Sequence, residues 1–193
     1  MNIISISTDR NILKENSPSR ARQIEYGQSF SETHIILFCK KSHFTGERSA
    51  REKNVSQISP NVWVYPTNSF LKLNYFGDAF RIASKIIRER GFLKENTLVT
   101  TQDPFETGIV GRRIKKRFGI PLHVQIHTDV FSPYFAKFSF LNFLRVKIAR
   151  KILPEADAIR VVSQKIANSL KNSVLKLSAE INIRPISVDI EKI

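Results

Sequence analysis

A single cysteine, Cys39, stands among the 193 residues. One thiol excludes an internal disulfide framework and any thiolate cluster around zinc. It falls in the apolar run 35–39, reads as a buried inert thiol, and suits a reducing compartment. Glycine is scarce at 7 residues, which excludes a collagen-like or glycine-rich chain. Acids are few: 17 Asp and Glu face 31 Lys and Arg, a formal net charge of +14. That excess calls for an anionic partner, a membrane surface, or nothing beyond a solvated basic exterior. No apolar run approaches the roughly 18 residues that span a bilayer. Residues 1–7 are apolar, yet no basic residue precedes them and Asp9 and Arg10 cut them short, so they do not read as a secretory signal. G-x-G-x-x-G after the first strand, G-x-x-x-x-G-K-[ST], G-x-S-x-G and H-E-x-x-H are all missing.

What is present is an ordinary globular composition, 41% apolar and 25% charged. The length fits one domain, and no repeat or low-complexity tract divides it. Strand-length apolar runs at 2–7, 34–39, 62–65, 97–101, 122–127, 158–162 and 181–184 alternate with helical patterns. The helices are expected at 18–30, 70–90, 104–118, 138–153 and 164–171. Ile24 and Tyr26 are candidate core contacts of the first. Ser17-Pro18 and Asp103-Pro104-Phe105-Glu106 read as helix starts, and Gly91 and Gly119 as stops. Residues 40–60 are polar and without a period, long for a connection. The alternation predicts an α/β fold: a doubly wound, mainly parallel sheet with helices on both faces. Ligands bind such sheets beyond the carboxyl ends of the strands. Residues 8–17, 101–106, 127–133 and Ser163 are therefore expected to converge at that edge.

At that edge His127-Thr128-Asp129 follows a strand directly. An imidazole there can donate to a sugar hydroxyl, accept a proton or brace a charge; equally, it can be a solvated strand-end histidine. Asp129 can orient His127 or cap the next turn. His123 shares the strand face with His127, but no further ligands complete a metal site. Asp103 and Glu106 resemble a carboxylate pair, although a helix start explains them better. Ser163 reads as a cap, with no base beside it.

Between Lys137 and Lys176 nine cations face two acids, Glu155 and Asp157. The helix there mixes Phe138, Phe140, Leu141, Phe143 and Leu144 with lysine and arginine. Docking on an anionic membrane and a plain solvated face both fit this pattern. Specific nucleic-acid binding is not expected, because no recognition motif accompanies the charge.

The stretches 99–108, 119–121, 125–129 and 156–163 carry the text VTTQDPFETG, GIP, QIHTD and ADAIRVVS. Together they resemble the N-terminal, acceptor-side domain of family 4 glycosyltransferases of the GT-B type. The tail 185–193, PISVDIEKI, is similar to that family's passage into its second domain. The resemblance implies a Rossmann-like domain over residues 1–184 and the start of a linker over 185–193. It implies a metal-independent, usually retaining transfer, with no resident cofactor. The partners would be a nucleotide-sugar donor, held mostly by a C-terminal domain, and a glycan or lipid-linked acceptor. His127 matches the family's histidine beside the donor sugar and is the expected catalytic residue. Asn11, Asn16, Arg20, Gln102, Asp103, Thr128 and Asp129 are the expected substrate-binding residues. Residues 9–19 match the loop that approaches the donor phosphates, without its usual glycines. The sequence stops where the donor domain should begin, so no transfer is expected from it alone; a fragment, a split-enzyme half and a decayed copy all fit. The expected setting is cytoplasmic, at the inner face of a membrane, with synthesis of cell-surface glycan or glycolipid as the role. The competing reading is a non-catalytic membrane- or partner-binding module on the same fold.

Overall fold

The computed structural model describes residues 1–41, 55–173 and 175–185. The expected linker beyond Pro185, with the family-like tail, lies outside them, as does most of the 40–60 connection. Eight strands form one sheet: β1 (Asn2–Ser7), β2 (Glu32–Leu37), β3 (Ser56–Ser59), β4 (Val62–Pro66), β5 (Thr97–Thr101), β6 (Leu122–Ile126), β7 (Ala158–Val161) and β8 (Glu180–Ile183). Their spatial order is β3-β4-β2-β1-β5-β6-β7-β8. Every neighbouring pair is parallel except β3 with β4. The helices are α1 (Pro18–Gly27), α2 (Tyr75–Arg90), α3 (Glu106–Phe118), α4 (Pro133–Phe138), α5 (Phe140–Ile152) and α6 (Gln164–Lys171). This is the α/β doubly wound architecture the alternation predicted, and it is Rossmann-like as the resemblance implied.

Serines start most of the helices. Ser17 Oγ accepts from the Arg20 N–H at 3.1 Å, and Ser163 Oγ from that of Ile166 at 3.3 Å. Gly91 and Gly119 end α2 and α3 in the left-handed region, at φ 63° and 71°, where a Cβ would be strained. The helix expected over 138–153 is α5, starting at Phe140, and the short α4, which was not expected, precedes it. Ser139 is extended, at φ −162° and ψ 156°, and its Oγ caps α5 by accepting from Asn142 N–H at 3.1 Å. A cap bond breaks the continuous apolar pattern there. Within the 40–60 stretch, residues 56–59 form β3, antiparallel to β4 across a two-residue turn at Pro60 and Asn61.

The two faces of the sheet are covered unequally. Ile4, Ile6, Ile36, Val99, Val124, Ile126, Ile159 and Val161 pack under α2, α3, α5 and α6 in one large core. On the opposite face a smaller core joins Ile12, Ile35, Leu37, Val62 and Val64. There α1 lies so close that a Cβ on Gly27 would run into Val62. Tyr26 is not a core contact, being 47% exposed. Ile24, the other expected core contact of α1, is half-buried and belongs to neither core.

Among the described residues no second helix covers that face over β5–β8, and apart from Leu98 and Ala158 the strand side chains there are polar. Register aligns Ser5 with Thr100 and Thr100 with His123, and, one step along, Gln125 with Arg160 and Arg160 with Asn182. Side chains in register on adjacent strands share a face. Two polar rows therefore cross the sheet beside α1.

Candidate functional site

The strand ends and the polar rows meet in one crevice. Ser5, Ser7, Gln125 and Arg160 form its floor, Ser19, Arg22 and Tyr26 of α1 form a wall, and Asp9, Gln102 and His127 stand at its mouth. Thus the first loop, the end of β5 and the end of β6, up to 118 positions apart, reach the same edge as the topology requires.

His127 stands one residue beyond β6 and is exposed at the rim. Partial burial, and secondly Arg160, hold its pKa below the ordinary 6.5. A neutral imidazole at this rim has one donor nitrogen and one acceptor nitrogen, enough to grip a hydroxyl. Gln102 is committed on one side: its Oε1 accepts from Thr8 N–H at 2.8 Å and from the Ser7 and Thr8 hydroxyls at 3.1 Å. It ties the first loop to β5, leaving only its amide nitrogen to offer a ligand.

Of the other expected site residues, Asp103 is a cap. Its Oδ1 accepts from Phe105 N–H at 2.7 Å and Thr107 N–H at 3.2 Å, and burial pushes its carboxyl above the usual range. Glu106 does not close a capping box; its Oε1 instead accepts from Arg145 Nε at 2.8 Å and Nη2 at 2.7 Å, binding α3 to α5. Asn11 and Asn16 are exposed on the first loop, where the Asn11 carbonyl accepts from Ser17 Oγ at 2.6 Å. Arg20 stands in the first turn of α1, and Thr128 is exposed beside His127. Asp129 Oδ1 accepts from Ser169 Oγ at 2.6 Å, which fastens the loop after β6 to α6. None of these seven lines the crevice with His127 and Gln102.

The crevice floor was not among the expected site residues. On β6 and β7 the polar His123, Gln125 and Arg160 alternate with buried Val124, Ile126, Ile159 and Val161. That period marks a half-open face. His123 Nδ1 lies 2.9 Å from Thr100 Oγ1. Burial, then the charges of Arg160 and Arg184, lower its pKa to about 4. His34, fully buried on β2, is also held below 6.5, chiefly by burial. In the unfolded chain both imidazoles take up a proton near pH 6.5; in the fold they do so only at lower pH. The stability they contribute is complete above pH 6.5 and is lost as pH falls towards 4. Melting temperature is expected to drop across that interval, and His123→Gln to flatten the drop; an unaltered slope would remove His123 from the explanation.

The chain matches the model of Glycosyltransferase Family 4 over residues 32–192. No curated protein matches it. Among solved structures it is similar to a sucrose-phosphate synthase from Thermosynechococcus elongatus, at TM-score 0.67 and 14% identity, covering 100% of this chain and 92% of that one. It is also similar to a UDP-N-acetylglucosamine 2-epimerase from Rickettsia bellii, at TM-score 0.58 and 10% identity, covering 94% of this chain and 44% of that one. At such identities the likeness concerns the fold alone, and the family match spans 161 of 193 residues. A Rossmann-like sheet with a crevice at its carboxyl edge, in a sequence that fits this model from residue 32 to residue 192, makes the chain a member of glycosyltransferase family 4, of the GT-B type.

Proposed function

We propose that the chain is the acceptor-side half of a retaining, nucleotide-sugar-dependent glycosyltransferase, working with a donor-binding domain and used in cell-surface glycan or glycolipid synthesis. The observation that carries this reading is His127, neutral at the mouth of a polar crevice. There an imidazole N–H can hold a hydroxyl of the donor sugar while the acceptor lies on the crevice floor. Fixing both reactants at one edge supplies orientation; a donor arriving from the facing domain completes the site. The test is co-expression with a family donor domain, followed by release of nucleoside diphosphate and NMR of the product's anomeric carbon. No release, or an inverted product, would overturn the corresponding part.

The same reading sets the domain on the cytoplasmic face of a membrane. Phe138 and Phe140 are 85% and 76% exposed around the break between α4 and α5, with Leu141, Phe143 and Leu144 also exposed. Lys137 and Lys147 flank them, also exposed. No helix among the described residues is long and apolar enough to cross a membrane, so this face would lie in the interface. Co-sedimentation is expected to be stronger with phosphatidylglycerol-containing than with neutral vesicles, and to weaken at least about tenfold in Phe138→Ser/Phe140→Ser. Equal binding by the variant would dismiss the patch. The patch also favours a second reading, a non-catalytic membrane module: vesicle binding without diphosphate release in the completed protein would select it.

A further inference from the structure

We propose that the crevice floor is an oxyanion site, in which Arg160 receives a carboxylate or phosphate borne by a sugar. This rests on the reading of the crevice as the acceptor site, and it gives that acceptor a charge. Arg160 stands at the centre of the open face, in register with Gln125 on one side and Asn182 on the other. Its Nη1 reaches Gln125 Oε1 and its Nη2 the Arg184 carbonyl, each at a long 3.3 Å. Its Nε is buried without any hydrogen-bond partner. Among the described residues no carboxylate pairs with it, although nine ion pairs involve other groups. Asp9, the acid at the mouth, already accepts from Asn11 N–H through Oδ1 at 3.1 Å.

A half-buried guanidinium with an orphan donor carries a desolvation cost that a matching anion offsets. Its planar fork fits a carboxylate or phosphate better than any single hydroxyl. Around it, Ser5, Ser7 and Gln125 offer hydroxyl and amide groups of the kind that recognise sugar hydroxyls. The charge is felt across the crevice, since Arg160 contributes to holding both His123 and His127 below their ordinary pKa. The opposite side of the sheet is covered by helices, so access is from this face alone. A neutral sugar would leave the charge unmatched; a sugar acid or sugar phosphate would offset it through the Nη groups, whose present bonds are long.

The test is calorimetric titration of the chain with glucuronate, glucose 1-phosphate and glucose, at low and at physiological salt. Saturable binding of one or both anionic sugars, and none of glucose, is expected; which of the two binds tells carboxylate from phosphate. Arg160→Gln should weaken that binding at least about tenfold and Arg160→Lys less. Arg150→Gln, an exposed cation of α5, should leave it unchanged. Melting curves of each variant separate lost binding from lost folding. Binding unaffected by Arg160→Gln, or weakened equally by Arg150→Gln, would overturn the site and leave only the general attraction of a +14 chain. Equal transfer to an anionic acceptor by the completed enzyme with and without Arg160→Gln would overturn it too, with the glycosyltransferase reading intact. Absence of transfer to any acceptor, with Arg160-dependent anion binding preserved, would do the reverse.

Discussion

His127→Ala is expected to lower sugar transfer by the completed enzyme about 10²–10³-fold, the usual loss when one positioned polar group is removed from a reacting centre. The melting temperature should hardly move. His127 lies outside β6 at an exposed rim, in neither hydrophobic core, and substitutions at such positions stay within about 0.5 kcal/mol. The two readouts separate catalysis from packing. Because burial and Arg160 keep the imidazole neutral at pH 7, His127→Gln, which retains a donor and an acceptor, should recover part of the loss. Turnover unchanged in the alanine variant would remove the histidine from the site. Turnover that falls only in step with stability would make it a packing residue.

Gly111→Val is expected to be the most damaging of the glycine substitutions in α3. A Cβ at Gly111 would run into Thr101 Cγ2 and stand 2.7 Å from Leu122 Cδ1. Both neighbours are fully buried, so neither can swing away into solvent. Overpacking of this kind costs about 1–3 kcal/mol, or roughly 2–4 °C of melting temperature per kcal/mol in a chain this long. Gly77 is the control: it lies in α2 with nothing within 4 Å of a built Cβ, and Gly77→Ala should stabilise by about 0.4–1 kcal/mol. Equal melting temperatures for both variants would show that α3 does not sit on β5 and β6 as closely as described.

The order of elements was legible because each is announced by local chemistry. Ser17-Pro18 starts α1 and Gly119 stops α3 as residue type alone demands. The boundaries that escaped were set by tertiary bonds. Residues 56–59, SQIS, carry little apolar pattern and become a strand because β4 offers them an edge. Ser139 sits inside an apolar helical period, and nothing nearby says that it will cap rather than continue it. At the site, His127 and Gln102 follow directly from their strand ends. Asp103 looked like a ligand because a capping carboxylate and a binding carboxylate are the same residue type; only the two N–H donors to Oδ1 tell them apart. Arg160 was visible as a charge within an apolar strand but was counted with the surface cations. Its meaning depends on which face of the sheet α1 leaves open, and that depends on strand order, which no single segment carries.

The position of β1 also fixes the order in which the molecule can assemble. Its first partner, β2, begins 30 residues later, but its other edge waits for β5, with Asn2 opposite Thr97. Pairing so distant slows folding, because the loop must close before its contacts reward it. At a synthesis rate of about 5–20 residues per second, that second edge stays unpaired for roughly 5–20 s after β1 emerges. The remaining strands then join one at a time, β6 on β5, β7 on β6 and β8 on β7. A nascent chain stalled before Thr97 would carry Ile4 and Ile6 on an open edge, the form in which strands aggregate. The hazard of misassembly thus belongs to the first half of synthesis, and the second half proceeds on a template already built.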